Sequence, residues 1–534
     1  MIQRLLRLGT RRSLLARAQS SAVARDLERA HPGLKVELVG IETRGDRISD
    51  VPLSQVDGKE FFTAEIDAAL LEGAVDITVH SFKDLSLERP LRLHLGAVPA
   101  RENPRDIIYF APDVVAVLAH GGSLRIGSSS PRRAAFVPAF LERALPGAVL
   151  RAGAVSAADQ VRVELCALRG NVDTRLRRLR EPRGSERHLD GVILAFAGVS
   201  RLWQDQAVGA GPLMRESLAG LPRMLLPLSL CPAAPAQGAL AIECRTDDAE
   251  TRALLAAIDD PATRVAIGAE RQLLAARGGG CHQQFGATQI QIDGLGALLY
   301  LREATGEGSG PPQLRWSVPV GPGAAPGAQS QVCMWDGSEQ PAPALEPLAA
   351  ATQVCAQRLH TAGAAFIAHR RALPELPAAT INRCPHIWVS GTASWFALAA
   401  RGVWVEGCAE SRGFASLART LAEPLLNLPA ADQWLALTST EAVAGWGAVP
   451  AFATYRHAPA VASAPNVGGA ASPARATHVW WHSSVQFDQW RHVVRTDCSQ
   501  ACGPGKTAEH LRRAGVAMLT VFPSVRHWRE WLQL

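Results

Sequence analysis

Val75-Asp76-Ile77-Thr78-Val79-His80-Ser81-Phe82-Lys83-Asp84 is an apolar run that closes on a carboxylate. Residues 75–79 read as a buried strand, so Asp84 falls where a parallel strand ends, and ligands of open α/β sheets bind outside such ends. Capping a helix is the commoner role for an Asp after a strand, and the motif alone leaves both readings open. Around it the chain places arginine in pairs and short clusters: Arg11-Arg12, Arg132-Arg133, Arg169 with Arg175, and Arg177-Arg178. A lone acid among many fixed cations suits a ligand with several carboxylates and a cationic reaction centre. For Arg177, Arg178 and Arg180 a solvated helix face is the simpler reading.

On either side of the motif, strand-like runs (34–39, 91–98) alternate with helix-like ones (16–29, 63–73). Alternation of this kind implies βαβ units and a parallel sheet. Residues 105–221 repeat the style, with Arg125-Ile126-Gly127, an arginine-bearing helix, and Gly191-Val192-Ile193-Leu194-Ala195. A third unit starts with a helix over 262–276, then Gly278-Gly279-Gly280-Cys281, alternating strands (288–292, 297–302, 314–320) and a helix over 345–363. Residues 373–385 read as a linker.

At 534 residues the chain is too long for one core. Hydrophobic content of 47% against 19% charged residues fits a globular protein and excludes a disordered one. No apolar run reaches the ~18 residues that span a bilayer. A net charge of +6 does not argue for nucleic acid, and the aromatic interleaving of single-strand binders is missing. Only four lysines occur, and Lys59 and Lys83 both fall in the motifs below. Ten cysteines lack a paired framework, which predicts free thiols, a reducing (cytoplasmic) compartment and no metal site; Cys498 and Cys502 have no matching partners. Residues 1–25 have the composition of a transit peptide, but Arg11 and Ser13 sit in a motif, so the segment is read as structural.

Seven strings follow one another in order. They are Arg11-Arg12-Ser13-Leu14-Leu15-Ala16, Asp57-Gly58-Lys59-Glu60-Phe61-Phe62, His80 to Asp84, and Ser128-Ser129-Ser130-Pro131-Arg132-Arg133. Leu168-Arg169-Gly170-Asn171-Val172-Asp173-Thr174-Arg175, Gln237-Gly238-Ala239-Leu240 and Gly279-Gly280-Cys281 complete them. Together they resemble the porphobilinogen deaminase (hydroxymethylbilane synthase) family, over about residues 3–370. The resemblance implies an α/β fold of two periplasmic-binding-protein-like domains joined by a double crossover (1–104 with 223–247, and 105–222), and a small α+β third domain (248–372). It implies a covalently bound dipyrromethane cofactor on Cys281, and Asp84 as the catalytic carboxylate. Arg11, Ser13, Lys59, Lys83, Ser129, Arg132, Arg133, Arg169 and Arg175 would bind the carboxylates of cofactor and substrate, with residues 58–62 in a lid. The expected partner is porphobilinogen alone, with no nucleic acid or membrane, and the expected state a monomer. Departures from the family pattern are Gln55, where many relatives carry a lid lysine, Gly278, where the family usually has an acid, and Leu14, Pro131, Ala236 and extra sequence at 152–162; none of the last four removes a charged reactive group.

Residues 386–534 contain a near-repeat. His386-Ile387-Trp388-Val389-Ser390-Gly391 parallels His478-Val479-Trp480-Trp481-His482-Ser483, each followed by a small-residue turn and a helix, over 407–417 and 502–511. This suggests a flavodoxin-like bilobal α/β region. Ser483-Ser484, Gly503-Pro504-Gly505-Lys506-Thr507 and Tyr455 are similar to uroporphyrinogen-III synthase, which implies a cyclase site of Tyr455, Ser483, Ser484 and Thr507. A deaminase with a degenerate tail, or a non-catalytic anion-binding relative, is the alternative; a receptor needs neither Asp84 nor Cys281.

Overall fold

Ten strands build the first two sheets on one wiring pattern: Arg4–Arg11 (β1), Leu34–Ile41 (β2), Ile77–Ser81 (β3), Leu93–Ala97 (β4), Asp106–Phe110 (β5), Ser123–Gly127 (β6), Arg162–Cys166 (β7), Gly191–Ala195 (β8), Arg223–Leu225 (β9) and Leu240–Arg245 (β10). The computed structural model describes residues 4–43, 63–120, 123–147, 161–279, 283–305, 308–317, 332–337, 344–458, 473–517 and 519–532. The chain divides into Met1–Ile290 with Leu299–Leu314 and Glu423–Leu425, and Gln291–Leu298 with Arg315–Ala422 and Leu426–Leu534.

In the first sheet the order is β2-β1-β3-β10-β4, in the second β7-β6-β8-β5-β9. Within each, four strands run one way and one runs antiparallel between two of them: β10 between β3 and β4, β5 between β8 and β9. The chain leaves the first sheet after β4 to enter the second at β5, and returns after β9 to insert β10. Those two passages are the expected double crossover. Leu6, Leu8, Ile77 and Ile242 pack with Val23 and Leu27 of the helix Leu14–Ala30 into a core that keeps β1, β3 and β10 in register. At the return, Gly238 has φ +90°, and a Cβ there would lie 2.6 Å from the Glu102 carbonyl oxygen. Only glycine lets the two passages lie so close.

Phe285–Ile292 (β11), Gly296–Thr305 (β12), Gly308–Ser309 (β13) and Gln313–Ser317 (β14) form a four-stranded sheet in which β12 pairs with the other three. The helix Pro261–Ala275 precedes it, started by Pro at its first turn and by Asp260, whose carboxylate accepts from Thr263 N at 2.6 Å.

The later strands are Met334–Trp335 (β15), Leu345–Pro347 (β16), Ala364–Ile367 (β17), Ile387–Val389 (β18), Gly407–Cys408 (β19), Trp434–Ser439 (β20), Ala451–His457 (β21), His478–Trp481 (β22), Ser499–Cys502 (β23) and Leu519–Val521 (β24). They form a six-stranded sheet, β16-β21-β20-β17-β18-β19, and a parallel four-stranded one, β15-β22-β23-β24. The near-repeat is a pair of βαβ units: β18, the helix Thr392–Ala399 and β19 in one sheet, β22, the helix Ser484–Trp490 and β23 in the other.

Three expectations need correction here. The helix expected over 345–363 is the strand β16 followed by the helix Ala351–Thr361. Pro347 cannot donate in a helix interior, and it sits instead on an edge strand, where the missing N–H costs little. The six-stranded sheet does not begin at 386, because β17 lies at its centre between β18 and β20. A four-residue apolar run between glycine and alanine is too short to announce a central strand. Finally, with β17 to β21 counted first to fifth, the order is 3-2-1-4-5 and not the 2-1-3-4-5 of flavodoxin. Local sequence pattern fixes strands, not their lateral order.

Candidate functional site

Asp84 ends a single 3₁₀ turn, Phe82–Asp84, that follows β3 directly. No α-helix starts there, so the capping reading fails. Its side chain is exposed and carries no hydrogen bond or ion pair among the described residues. The turn is pinned from behind by Arg271, which donates to the carbonyls of Phe82 (3.3 Å), Leu85 (3.0 Å) and Ser86 (2.8 Å) and stacks on the Phe82 ring at 4.6 Å. Arg271 belongs to the helix Pro261–Ala275, which runs on into Gly278 (φ +80°) and Gly279 (φ +70°). Gly279 abuts Leu87, three residues past Asp84. The segment that leads to Cys281 thus starts beside the Asp84 turn. Cys281, Lys59 and Gln55 themselves lie outside the described residues.

Asp84 opens on a cleft of about 270 Å³ lined from both of the first two sheets. Its walls carry five cationic side chains, Arg11, Lys83, Arg133, Arg175 and Arg201, against two carboxylates, Asp84 and Asp173. Burial pushes Lys83 below the usual lysine range; Asp84 and Asp106 oppose that, while Arg133 and Arg132 add to it. Arg175 is pushed down to about 10 by burial and then by Arg133, with Asp84 opposing and Arg169 adding. The cleft is therefore short of negative charge.

The expected binding set divides. Arg11, Ser13, Lys83, Arg133 and Arg175 line the cleft, whereas Ser129, Arg132 and Arg169 are not among its lining residues. Ser13 also caps the helix Leu14–Ala30, accepting from Ala16 N at 3.3 Å. Arg175 Nε donates to the Gly170 carbonyl at 2.7 Å, which tightens the loop before the helix Val172–Arg177. Arg132 and Arg133 are buried and clamp Asp106 from two sides at 2.7 Å each, with further bonds to the carbonyls of Pro232 (2.7 Å) and Ile193 (3.0 Å). They hold Asp106 well below the usual carboxylate range. A pair read as ligand-binding is in large part a structural clamp. Arg177 and Arg180 are exposed, as expected for a solvated face, and Arg178 is half-buried.

Four cleft residues carry no role in the sequence reading. Gln19 bonds Ser81 at 3.1 Å, Arg201 donates to the Gly238 carbonyl at 2.7 Å, and His80 and Gln237 also line the cleft. The polar run Gln19-Ser20-Ser21 inside an otherwise apolar helix face was a usable signal; Arg201 had none. His80, Asp67 and Glu243 bring three metal-type ligands together. The Arg89 guanidinium already fills that group, with bonds of 2.6 to 3.0 Å to both carboxylates. Burial, opposed in part by Glu243, takes His80 down to about 4, so the ring is neutral near pH 7.

The matching family model is "porphobilinogen deaminase, dipyromethane cofactor binding domain", over residues 6–253. A porphobilinogen deaminase of Syntrophobacter fumaroxidans is 40% identical over 296 residues, 55% of this chain and 82% of its own. Porphobilinogen deaminase 1 of Streptomyces avermitilis is 40% identical over 329 residues, 60% and 90% of the two chains. The chain belongs to the porphobilinogen deaminase family. Among solved structures, a periplasmic substrate-binding protein of Coxiella burnetii (15% identity, 49% of this chain and 94% of that one) and the methionine-binding protein MetQ (10%, 49% and 92%) each reach a TM-score of 0.25.

The residues present fit a dipyrromethane carrying four carboxylates. The cleft has surplus cations, and Arg133 Nε is buried with no acceptor among the described residues. The nine described cysteines are free thiols, and burial raises Cys244 to about 11 and Cys502 to about 12, which suits packing and not attachment chemistry. No helix of the described residues is long and apolar enough to cross a membrane.

In the later unit, Tyr455 on β21 is buried opposite Ser439 at the end of β20, and burial raises its hydroxyl above the usual range. His369, just past β17, and His457 face the same ring at 6.2 and 5.8 Å. Ser483 caps the helix Ser484–Trp490 through Gln486 N (3.1 Å), and Thr507 stands in the first turn of the helix Lys506–Arg513. Gly505 packs on Arg412 and Gly413, and Lys506 Nζ lies 3.2 Å from the Trp446 ring centre, where burial takes it down to about 7.

Proposed function

We propose that this chain is a hydroxymethylbilane synthase that condenses four porphobilinogens head to tail and releases ammonia, in tetrapyrrole biosynthesis. One observation carries the reading: an exposed carboxylate at a parallel strand end, in a cleft with surplus cations, beside the start of the segment bearing Cys281. Cofactor and product carry about a dozen carboxylates, which arginine forks bind bidentately. Arg11, Lys83, Arg133 and Arg175 hold those groups, and Lys59 adds a contact from residues 58–62. When bound, the dipyrromethane supplies the free α-position that primes chain growth. Departure of ammonia from porphobilinogen leaves an electron-poor cation, and Asp84 stabilises it and moves the proton lost on coupling. The cleft is at the small end of ligand sites, so elongation requires the two sheets to part about the double crossover. A soluble cytoplasmic monomer with deaminase units at 1–104 with 223–247 and at 105–222, and a third that starts at 248 and ends before β16, completes the proposal.

Intact mass tests it. The purified protein is expected to carry an increment of two pyrrole units, lost in Cys281→Ser. An unmodified wild-type chain from cells that make porphobilinogen would sink the priming mechanism.

A second activity is favoured by β17, which supplies a central strand that a tail starting at 386 lacks, and by the two βαβ units. In this reading the later unit closes hydroxymethylbilane to uroporphyrinogen III, with Tyr455 donating to the leaving hydroxyl and Ser483, Ser484 and Thr507 holding carboxylates. A cut near Arg371 would strip β17 of its neighbours, so a point variant is the sounder probe. Wild type fed porphobilinogen is expected to yield mainly the type III isomer and Tyr455→Phe to shift the product toward type I. Type I from both proteins would leave the tail without cyclase activity.

A further inference from the structure

Lys83 and the Arg132–Asp106–Arg133 clamp belong to different sheets, yet one side chain touches both. Gln237 lies on the return passage between β9 and β10 and is almost wholly buried, at 1% exposure. Its Nε2 donates to the Pro104 carbonyl and to Asp106 Oδ1, both at 2.8 Å, and its Oε1 accepts from Lys83 Nζ at 3.4 Å. Both N–H groups thus have an acceptor. Turning the amide over would set its oxygen against two acceptor oxygens, so the orientation is fixed by its partners. Its backbone is held equally firmly. Ala236 N donates to Glu270 Oε2 at 2.7 Å, the Gln237 carbonyl accepts from Arg101 at 2.8 Å, and the Gly238 carbonyl accepts from Arg201 at 2.7 Å. Ala236 pays for this with a positive φ of 64°, a conformation that non-glycine residues seldom adopt.

We propose that Gln237 is a positioning residue, whose amide oxygen fixes the Lys83 ammonium beside Asp84 while its amide nitrogen keeps Asp106 closed on Arg132 and Arg133. It acts through those groups and touches no reacting atom. The proposal rests on the deaminase reading for the purpose of the arrangement, though the arrangement can be tested without turnover. Neutrality is the point of the amide. A carboxylate in its place would stand within hydrogen-bonding distance of Asp106, and an apolar side chain would leave the ammonium and Asp106 each short of a partner.

The test reads Lys83 directly. Trace acylation with acetic anhydride across a pH series, followed by peptide mass spectrometry, reports each of the four lysines, with exposed Lys35 as the internal reference. The charged groups acting on Lys83 are Asp84 on its own turn, Asp106 on β5, and Arg132 and Arg133 on the helix Pro131–Ala144. Gln237→Met removes an acceptor that favours the ammonium, so Lys83 should lose its proton at lower pH than in wild type. Gln237→Glu adds negative charge, so it should lose its proton at higher pH. Shifts of opposite sign, each about one pH unit or tenfold in acylation rate at fixed pH, are expected. The alkaline limb of kcat for porphobilinogen consumption should move the same way, with a smaller change in KM. Coincident Lys83 titrations in all three proteins would overturn the proposal. If Gln237→Glu does not fold, Gln237→Met alone decides. A wild-type protein that consumes no porphobilinogen would refute the deaminase reading and leave the Lys83 measurement standing.

Discussion

Asp84→Asn is expected to slow chain elongation by about 10²–10⁴-fold while leaving the fold and the two-pyrrole mass increment in place. The carboxylate is exposed and unbonded among the described residues, so no buried partner is stranded when its charge goes. Arg271 holds the turn through main-chain carbonyls, which the substitution does not touch. What changes is electrostatic. Asp84 is the cleft carboxylate that acts on both Lys83 and Arg175 against the repulsion of Arg133. Without it, a cation developing on the substrate meets a wall of five cationic side chains with Asp173 as the remaining carboxylate. Single-turnover ammonia release checks the rate, and intact mass checks that priming survives. Near-normal turnover would remove Asp84 from the chemistry; loss of the mass increment would move its role to priming.

The strand end was legible because a contiguous apolar run closing on Lys83-Asp84 has few physical meanings. The alternation of runs around it gave the α/β class, and the crossover came with the family resemblance. The binding set was legible as residue types and not as partners. Arg132 and Arg133 sit in a motif that says cation. Whether a cation faces a ligand or a buried carboxylate depends on Asp106, 26 residues earlier at the start of β5, and no local pattern links the two. Gln237 and Arg201 were invisible as actors for the same reason, since their partners lie 131 and 37 residues away. In the later unit, β17 escaped because four apolar residues carry no periodicity, and lateral strand order is a property of connections that the chain does not spell out.

Replacing Asp106 is expected to destabilise the unit that holds the first two sheets by about 3–5 kcal/mol, the usual cost of breaking a buried ion pair by removing one partner. In Asp106→Asn two guanidinium groups stay buried with their counter-charge gone, and Gln237 loses a charged acceptor. At a urea slope of about 1–3 kcal/mol per molar, the midpoint should fall by about 1 M or more, read by proteolysis of the opened chain. The pH dependence follows from the depressed carboxyl. Its contribution is fully present above the unfolded value of about 3.9 and is lost only as pH falls towards the lower folded one, so the gap between wild type and variant should be constant from pH 5 to 8 and close in strong acid. A gap that narrows already at pH 6 would assign the stability to another group. Replacing all three charged residues together, Asp106→Leu with Arg132→Met and Arg133→Met, removes the buried charges instead of stranding them, and should recover most of the lost stability. It should recover no porphobilinogen consumption, because Arg133 also lines the cleft. That divergence between stability and activity would show that the clamp is kept to present a cation to a polycarboxylate, and that apolar packing could have served the fold alone.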